Sequence, residues 1–454
     1  MQVEQIAKPI SIFPPLIVAT AVCDLKAGVR VFHVRSVMFA SDWKWNYCRQ
    51  AENPQTAISE FLEPTLAAFW LKTGWLFGVA RSTSPLTSTQ LKRVLKGESM
   101  IHWSHWQCVG LAAAGLVVAG ISWGNPAMAA GIEMAEYTVP SDPGVQLYVR
   151  EKHPAGVQRF GAERILLFVH GATYPAETSF DLPVGGASMM DMLAARGWDV
   201  WLVDVRGYSR STRPAAMDQP PGEGKPVSST VEAARDVSAV VDFILQSRGV
   251  AKVNLMCWSW GTSIMGLYAS THNEKVERLV LYAPQWLSTA MVAADAPPLG
   301  VYRTVTRDAT LARWLMGVPA DKRADLIPPG WFDQWADATF ATDPTGAQQA
   351  PPVLRAPNGV AQDSRDYWLA GKPLYQPSDI RVPTLLLHAE WDADLPTYQT
   401  QAYFTQLTPT PYKRWVEIGE GTHTVMLEKN RMQFFQELAG FLEEKDPTRT
   451  TEVL

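Results

Sequence analysis

The chain has 454 residues, 47% of them hydrophobic and 19% charged, with a formal net charge of -5. That composition is globular and excludes a disordered chain, and the slightly acidic balance gives no electrostatic basis for binding nucleic acid or an anionic membrane surface. Cys23, Cys48, Cys108 and Cys257 form no Cys-x-x-Cys pair and no Cys/His cluster with zinc spacing, so neither a metal nor another cofactor is expected.

Residues 1–99 carry scattered tryptophans and one apolar stretch, Pro64 to Ala80, interrupted by Lys72. From Ser99 to Ile132 there is no Asp, Glu, Lys or Arg, and Val109 to Trp123 is an apolar core followed by Asn125-Pro126-Ala127-Met128-Ala129. A short apolar core ending in Ala127-x-Ala129 is the layout of a secretory signal peptide cleaved after Ala129. The run is short of the roughly 20 residues that span a bilayer, and no lipobox follows it. Residues 100–129 are therefore expected to direct the protein to the periplasm or out of the cell, leaving no stable membrane anchor.

A signal peptide belongs at an N-terminus, so residues 1–99 are read as an untranslated or mis-assigned extension. Translation would begin at Met100, behind a Lys96-Gly97-Glu98-Ser99 stretch that AAA-GGA-GAG can encode, or near Leu91 or Val94, which restores basic residues before the apolar core. The competing reading, a genuine domain over 1–99, stays open.

Ile132–Val139 and Val145–Glu151 alternate apolar and polar residues about Ser141-Asp142-Pro143-Gly144, which predicts an edge hairpin. Ile165–Val169, Val200–Val203, Val253–Met256, Val276–Ala283, Val382–His388 and Tyr412–Ile418 read as strands. Met189–Arg196 with a stop at Gly197, Val231–Gln246, Ser263–Ala269 and Met432–Leu442 read as helices. Apolar strands alternating with helices predict an α/β fold with a mostly parallel, doubly wound sheet. Between Pro284 and Ile380 the alternation stops, and a Pro- and Trp-rich stretch with helix-like pieces and no clear strand takes over. It is expected to be a helical cap over the strand ends. The resulting division is core at 130–286, cap at 287–380, core again at 381–445 and a tail at 446–454.

The sequence around Ser259 reads Cys257-Trp258-Ser259-Trp260-Gly261, a strand turning sharply into a helix with small residues two before and two after the serine. Cys257 stands where a glycine is usual, and a small-x-Ser-x-Gly string alone is common by chance. The specificity comes from order: His170-Gly171 after one strand, Asp204-x-Arg206-Gly207-x-Ser209 after the next, then Ser259, the cap, an acidic turn and a late histidine. With these features in sequence, the chain resembles the α/β-hydrolases from about residue 145 to 442.

The resemblance implies a Ser-His-Asp triad with Ser259 as nucleophile, His423 of Gly419-Glu420-Gly421-Thr422-His423 as base, and an acid from the turn His388–Pro396. Asp392 fits the family's register there, with Asp394 and then Glu390 as alternatives. The backbone N–H groups of Trp260 and Ala172 are the implied oxyanion donors, with Thr173 as a side-chain contributor and His170 in a structural role. Cys257 is expected to pack inward, unlike the nucleophilic cysteine of polyhydroxyalkanoate synthases, which occupies the elbow itself. Trp258 and Trp260 either flank the pocket or pack against helices. Haloalkane dehalogenases and epoxide hydrolases share the Asp-x-Arg-Gly-Tyr region but use aspartate at the elbow. Serine there implies acyl transfer to water from a small-molecule ester or lactone. A C–C bond hydrolase or acyltransferase, or a non-catalytic binding protein of the same fold, remain the other readings, and the oligomeric state is open.

Overall fold

The computed structural model describes residues 131–290 and 296–448, together with two short strands, Leu16–Ala19 and Ser36–Phe39, which pair antiparallel with each other. The expected signal segment 100–129 and nearly all of the expected extension 1–99 lie outside the described residues. Among the described residues no helix is long and apolar enough to cross a membrane.

The larger unit is built on an eight-stranded sheet. Its strands are β1 (Ile132–Pro140), β2 (Gln146–Pro154), β3 (Ile165–Val169), β4 (Asp199–Asp204), β5 (Val253–Trp258) and β6 (Val276–Tyr282). After the cap ribbon of β7 (Tyr302–Thr306) and β8 (Val353–Pro357), the sheet resumes with β9 (Thr384–Ala389) and β10 (Lys413–Ile418). The order across the sheet is β10-β9-β6-β5-β3-β4-β2-β1. The strands from β10 to β4 pair parallel, while β2 runs antiparallel to both β4 and β1.

The continuous apolar runs follow from burial on both faces. Leu166, Phe168, Met256 and Trp258 pack into one core layer, and Leu167, Val169, Leu255 and Cys257 into the other. Because side chains alternate across a strand, both parities must be apolar.

The helices start and stop where local chemistry dictates. Helix α1 (Met189–Ala194) opens on a capping box between Ser188 and Asp191, and α2 (Thr230–Arg248) on one between Ser229 and Glu232. Gly249 ends α2 in the left-handed conformation, φ 65°. Helix α3 (Trp260–Thr271) begins three residues before its sequence-based start at Ser263, because it springs straight from the end of β5. Arg206 ties the loop after β4 to α2 through a bidentate contact with the fully buried Asp236 (Nε–Oδ2 2.9 Å, Nη2–Oδ1 2.6 Å).

The cap is not helical throughout. Tyr302–Thr306 and Val353–Pro357 pair antiparallel, Tyr302 opposite Pro357, and enclose α4 (Arg307–Trp314) and α5 (Trp331–Ala341). Two features hid this ribbon in the sequence. Each strand has only five residues, and β8 carries a buried arginine, Arg355, neutralised by Asp343 (Nη2–Oδ1 2.7 Å). The helix α6 (Thr397–Gln406) and the closing helix α7 (Arg431–Glu443) complete the core.

Candidate active site

Ser259 is the single residue between β5 and α3, and its backbone is held at φ 57°, ψ -123°, a region that non-glycine residues seldom occupy. The surrounding chain makes room for this turn. A Cβ on Gly261 would lie 2.7 Å from the carbonyl oxygen of His170 and 2.8 Å from that of Val169. A Cβ on Gly171 would lie 3.1 Å from the Cβ of Ser259. Cys257 is tolerated two residues before the serine because its side chain turns to the other face of the sheet. It is fully buried, its thiol lies 3.5 Å from the carbonyl oxygen of Val280, and burial pushes the thiol pKa well up.

The loop after β10 brings His423 over the serine. Its Nε2 lies 2.9 Å from Ser259 Oγ, and its Nδ1 lies 2.7 Å from Asp392 Oδ2. The loop is fixed from beneath. Trp258 Nε1 donates to the carbonyl of His423 (2.9 Å), Tyr282 Oη donates to that of Thr422 (2.8 Å), and Thr422 donates through both its N–H and its hydroxyl to Glu428. Burial raises the Glu428 carboxyl to about 7, outweighing those two donors and the Trp314 indole.

The three acids of the turn after β9 are separated in space. Asp392 accepts from the N–H groups of Asp394 (3.0 Å) and Leu395 (2.9 Å) on Oδ1, which leaves Oδ2 for His423. Asp394 pairs with Arg313 of α4 (Nη2–Oδ2 2.8 Å) and comes no closer than 3.9 Å to His423 Nε2. Burial acts to raise its pKa, but His423 and Arg313 together hold it below the ordinary value. Glu390 accepts from the backbone N–H of Glu420 (2.8 Å), which joins the two loops.

Trp260 opens α3, where its backbone N–H has no intrahelical acceptor. Its indole is buried against α2 and donates to Thr230 Oγ1 (2.9 Å), whereas the Trp258 indole lines the cavity and stands 5.3 Å from the His423 ring. The two tryptophans that the sequence left undecided therefore do different things.

Ala172 and Thr173 line the cavity beside Ser259. Fully buried His170 bridges the loops after β3 and β4. Its Nδ1 is 2.7 Å from the carbonyl oxygen of Gly171, and its Nε2 accepts from the N–H of Val205 (3.2 Å). That pattern fits the neutral ring with its proton on Nδ1, and burial pushes the pKa down to about 4.

Sequence reasoning missed the cap's contribution. Thr310, Arg313 and Trp314 of α4 close the cavity, with Tyr174 and Thr424 completing its wall. No local pattern marks them, since only the docking of the cap brings them to Ser259. Tyr174 had a signal in its nearness to His170-Gly171. The cavity is narrow, with about 20 Å³ open to the centre of a water-sized sphere, close to the room of a single water. Among the described residues no group of three or more His, Cys, Asp or Glu side chains is placed to hold a metal ion.

A serine on a strained strand-to-helix turn of an eight-stranded sheet, with an acid and a histidine delivered from the last two strands, is the arrangement of an α/β hydrolase, and the model of the α/β hydrolase fold family matches residues 164–430. The chain belongs to that family. It is 30% identical over 158 residues to lipase member M of Homo sapiens, covering 34% of this chain and 36% of that protein. It is 29% identical over 168 residues to gastric triacylglycerol lipase of Mus musculus, covering 36% of this chain and 40% of the lipase. The chain thus spans well under half the length of these curated relatives. Similar solved structures include a membrane phospholipase A described as a bacterial virulence factor (TM-score 0.44, 19% identity, 77% of this chain and 100% of that one). The esterase EaEST of Exiguobacterium antarcticum is also similar (TM-score 0.44, 18% identity, 68% and 100%).

Proposed function

We propose that this protein is a serine hydrolase that cleaves a carboxylic ester or lactone through an acyl-enzyme, and that it works in the periplasm or outside the cell. The observation that carries the reading is the unbroken chain of short contacts from Asp392 through His423 to Ser259. Asp392 holds the imidazole in the tautomer with its proton on Nδ1, so that Nε2 is free to accept. Ser259 Oγ attacks the ester carbonyl carbon while its proton passes to His423 Nε2. The carbonyl oxygen, now an anion, is met by the N–H groups of Trp260 and Ala172. Collapse of this adduct breaks the C–O bond, and His423 returns its proton to the leaving alcohol. Water, deprotonated by His423, then attacks the acyl-enzyme and releases the acid and free Ser259.

The names of the two mammalian relatives, both lipases, support ester cleavage. The narrow cavity walled by Trp258, Tyr174 and Trp314 favours a short or flat apolar acyl group. The apolar segment Val109–Trp123 with Ala127-x-Ala129 supports export.

A fluorophosphonate probe tests the nucleophile. The wild type should be labelled stoichiometrically and Ser259→Ala not at all; equal labelling of both would remove Ser259 from the mechanism. A panel of p-nitrophenyl esters from acetate to decanoate, run beside lactones, should show kcat/KM falling with acyl length. Activity confined to β-diketones or to alcohol acceptors would instead select the C–C hydrolase or acyltransferase reading.

A further inference from the structure

We propose that Arg303, a side chain of the cap ribbon, is a positioning residue for the oxyanion loop, so that the cap sets the geometry in which Ala172 meets the developing charge. The inference rests on the serine hydrolase reading above. The loop residue Ala172 is held at two successive carbonyls. The carbonyl of Gly171 faces His170 Nδ1 at 2.7 Å. That carbonyl shares a planar trans peptide with the Ala172 N–H, which therefore points the opposite way. The next carbonyl, that of Ala172 itself, accepts two hydrogen bonds, from Tyr208 Oη (2.7 Å) and from Arg303 Nη2 (2.7 Å). Two of the three restraints come from the core. The third comes from β7.

Arg303 also reaches Thr173 Oγ1 with Nη2 (2.9 Å), and its Nη1 donates to the carbonyl of Pro357 on the partner strand β8 (2.7 Å). The guanidinium is thus a bracket with one end on the ribbon and the other on the loop. A planar fork with five donors suits this task, since it fixes several acceptors at once with little rotameric freedom left to lose. Among the described residues no carboxylate lies within ion-pair distance of Arg303, whereas Arg313 beside it is neutralised by Asp394. Burial lowers the Arg303 pKa, as expected for a cation paired only with neutral oxygens. An unneutralised guanidinium is costly to hold in a partly buried place, and a purely structural cross-link needs no such charge. In the resting enzyme the guanidinium meets only the neutral oxygens of Ala172, Thr173 and Pro357, and behind a loop that receives an oxyanion its full charge is complementary to the transition state. Arg303 does not line the cavity, so it acts through Ala172 and Thr173.

The test compares the wild type with Arg303→Met, Arg303→Lys and Tyr208→Phe on p-nitrophenyl acetate. Each protein is also titrated with an aryl trifluoromethyl ketone, whose hemiketal oxyanion occupies the place of the intermediate's. Arg303→Met should lower kcat about 10²-fold, the scale of one lost oxyanion donor, with KM within about twofold of the wild type. Affinity for the trifluoromethyl ketone should fall by a similar factor. Arg303→Lys should recover part of both losses, and Tyr208→Phe, which keeps the ring packing, should show the same kcat-selective loss. Thermal melts distinguish this from simple unfolding, and where Arg303→Met does not fold, the other two variants decide. The proposal is overturned if kcat stays within about twofold of the wild type, if KM alone rises, or if kcat falls without loss of trifluoromethyl ketone affinity. Wild type that fails to label with fluorophosphonate at Ser259 would overturn the hydrolase reading and this inference together. Labelled wild type with unaffected Arg303 variants would overturn this inference alone.

Discussion

Asp392 Oδ2 lies 2.7 Å from Nδ1 of His423, while Asp394, two residues later, approaches the same ring only at Nε2, at 3.9 Å. The difference is one of direction as well as distance. An acid on Nδ1 keeps Nε2 unprotonated and aimed at Ser259, whereas an acid on Nε2 would compete with the serine. Arg313 takes up the Asp394 carboxylate and the backbone N–H groups of Asp394 and Leu395 fix that of Asp392.

Asp392→Asn should therefore lower kcat about 10⁴-fold with little change in KM, because the amide favours the wrong imidazole tautomer. Asp394→Asn should cost far less in kcat. Steady-state kinetics of the two variants on one ester check this, and equal losses would mean that both acids serve the histidine.

Cys257 is sealed in the core layer opposite Ser259, with its thiol held protonated by burial. Cys257→Ala should keep kcat and KM within about twofold. It should cost about 1 kcal/mol of stability for the lost sulfur, and Cys257→Gly up to about 1 kcal/mol more for backbone entropy. The native thiol should also resist Ellman's reagent until the protein is unfolded. A variant that melts like the wild type but loses activity would show that the cysteine shapes the elbow.

Asp204 ends β4 fully buried; its Oδ1 accepts from the N–H of Ala176 (2.6 Å), while Oδ2 has no partner. Burial, assisted by the charge of Glu177, raises its pKa from 3.8 to about 7. The folded state then binds a proton that the unfolded state has released, so this group's stabilising contribution is full below about pH 3.8 and is lost as the pH rises through 7. Asp204→Asn keeps the acceptor and removes the titration. The melting temperature of the variant minus that of the wild type should rise between pH 4 and 7 and level off above. A flat difference would mean that Asp204 is ionised in the fold throughout.

The central strands β3, β4, β5 and β9 were legible because burial on both faces demands apolar residues at nearly every position, and the edge hairpin because its residues alternate, each a property of the segment by itself. The stop at Gly197 (φ 89°) was legible for the same reason, whereas the caps at Ser229 and Gly249 were recognised only in the structure. The cap ribbon was not, since two five-residue strands, one built around Arg355, gain their identity only from each other.

At the site, the sequence by itself determined which residues arrive at one end of the sheet. Ser259 must stand where β5 turns into α3, and His423 must follow the last strand, because strand order and loop length deliver them there. Only the tertiary structure put Asp392 rather than Asp394 against His423 Nδ1, sent the Trp258 indole to the cavity and that of Trp260 to α2, and set Arg303 against Ala172. Those outcomes turn on directions and distances of about an ångström between segments far apart in the chain. No local periodicity encodes them.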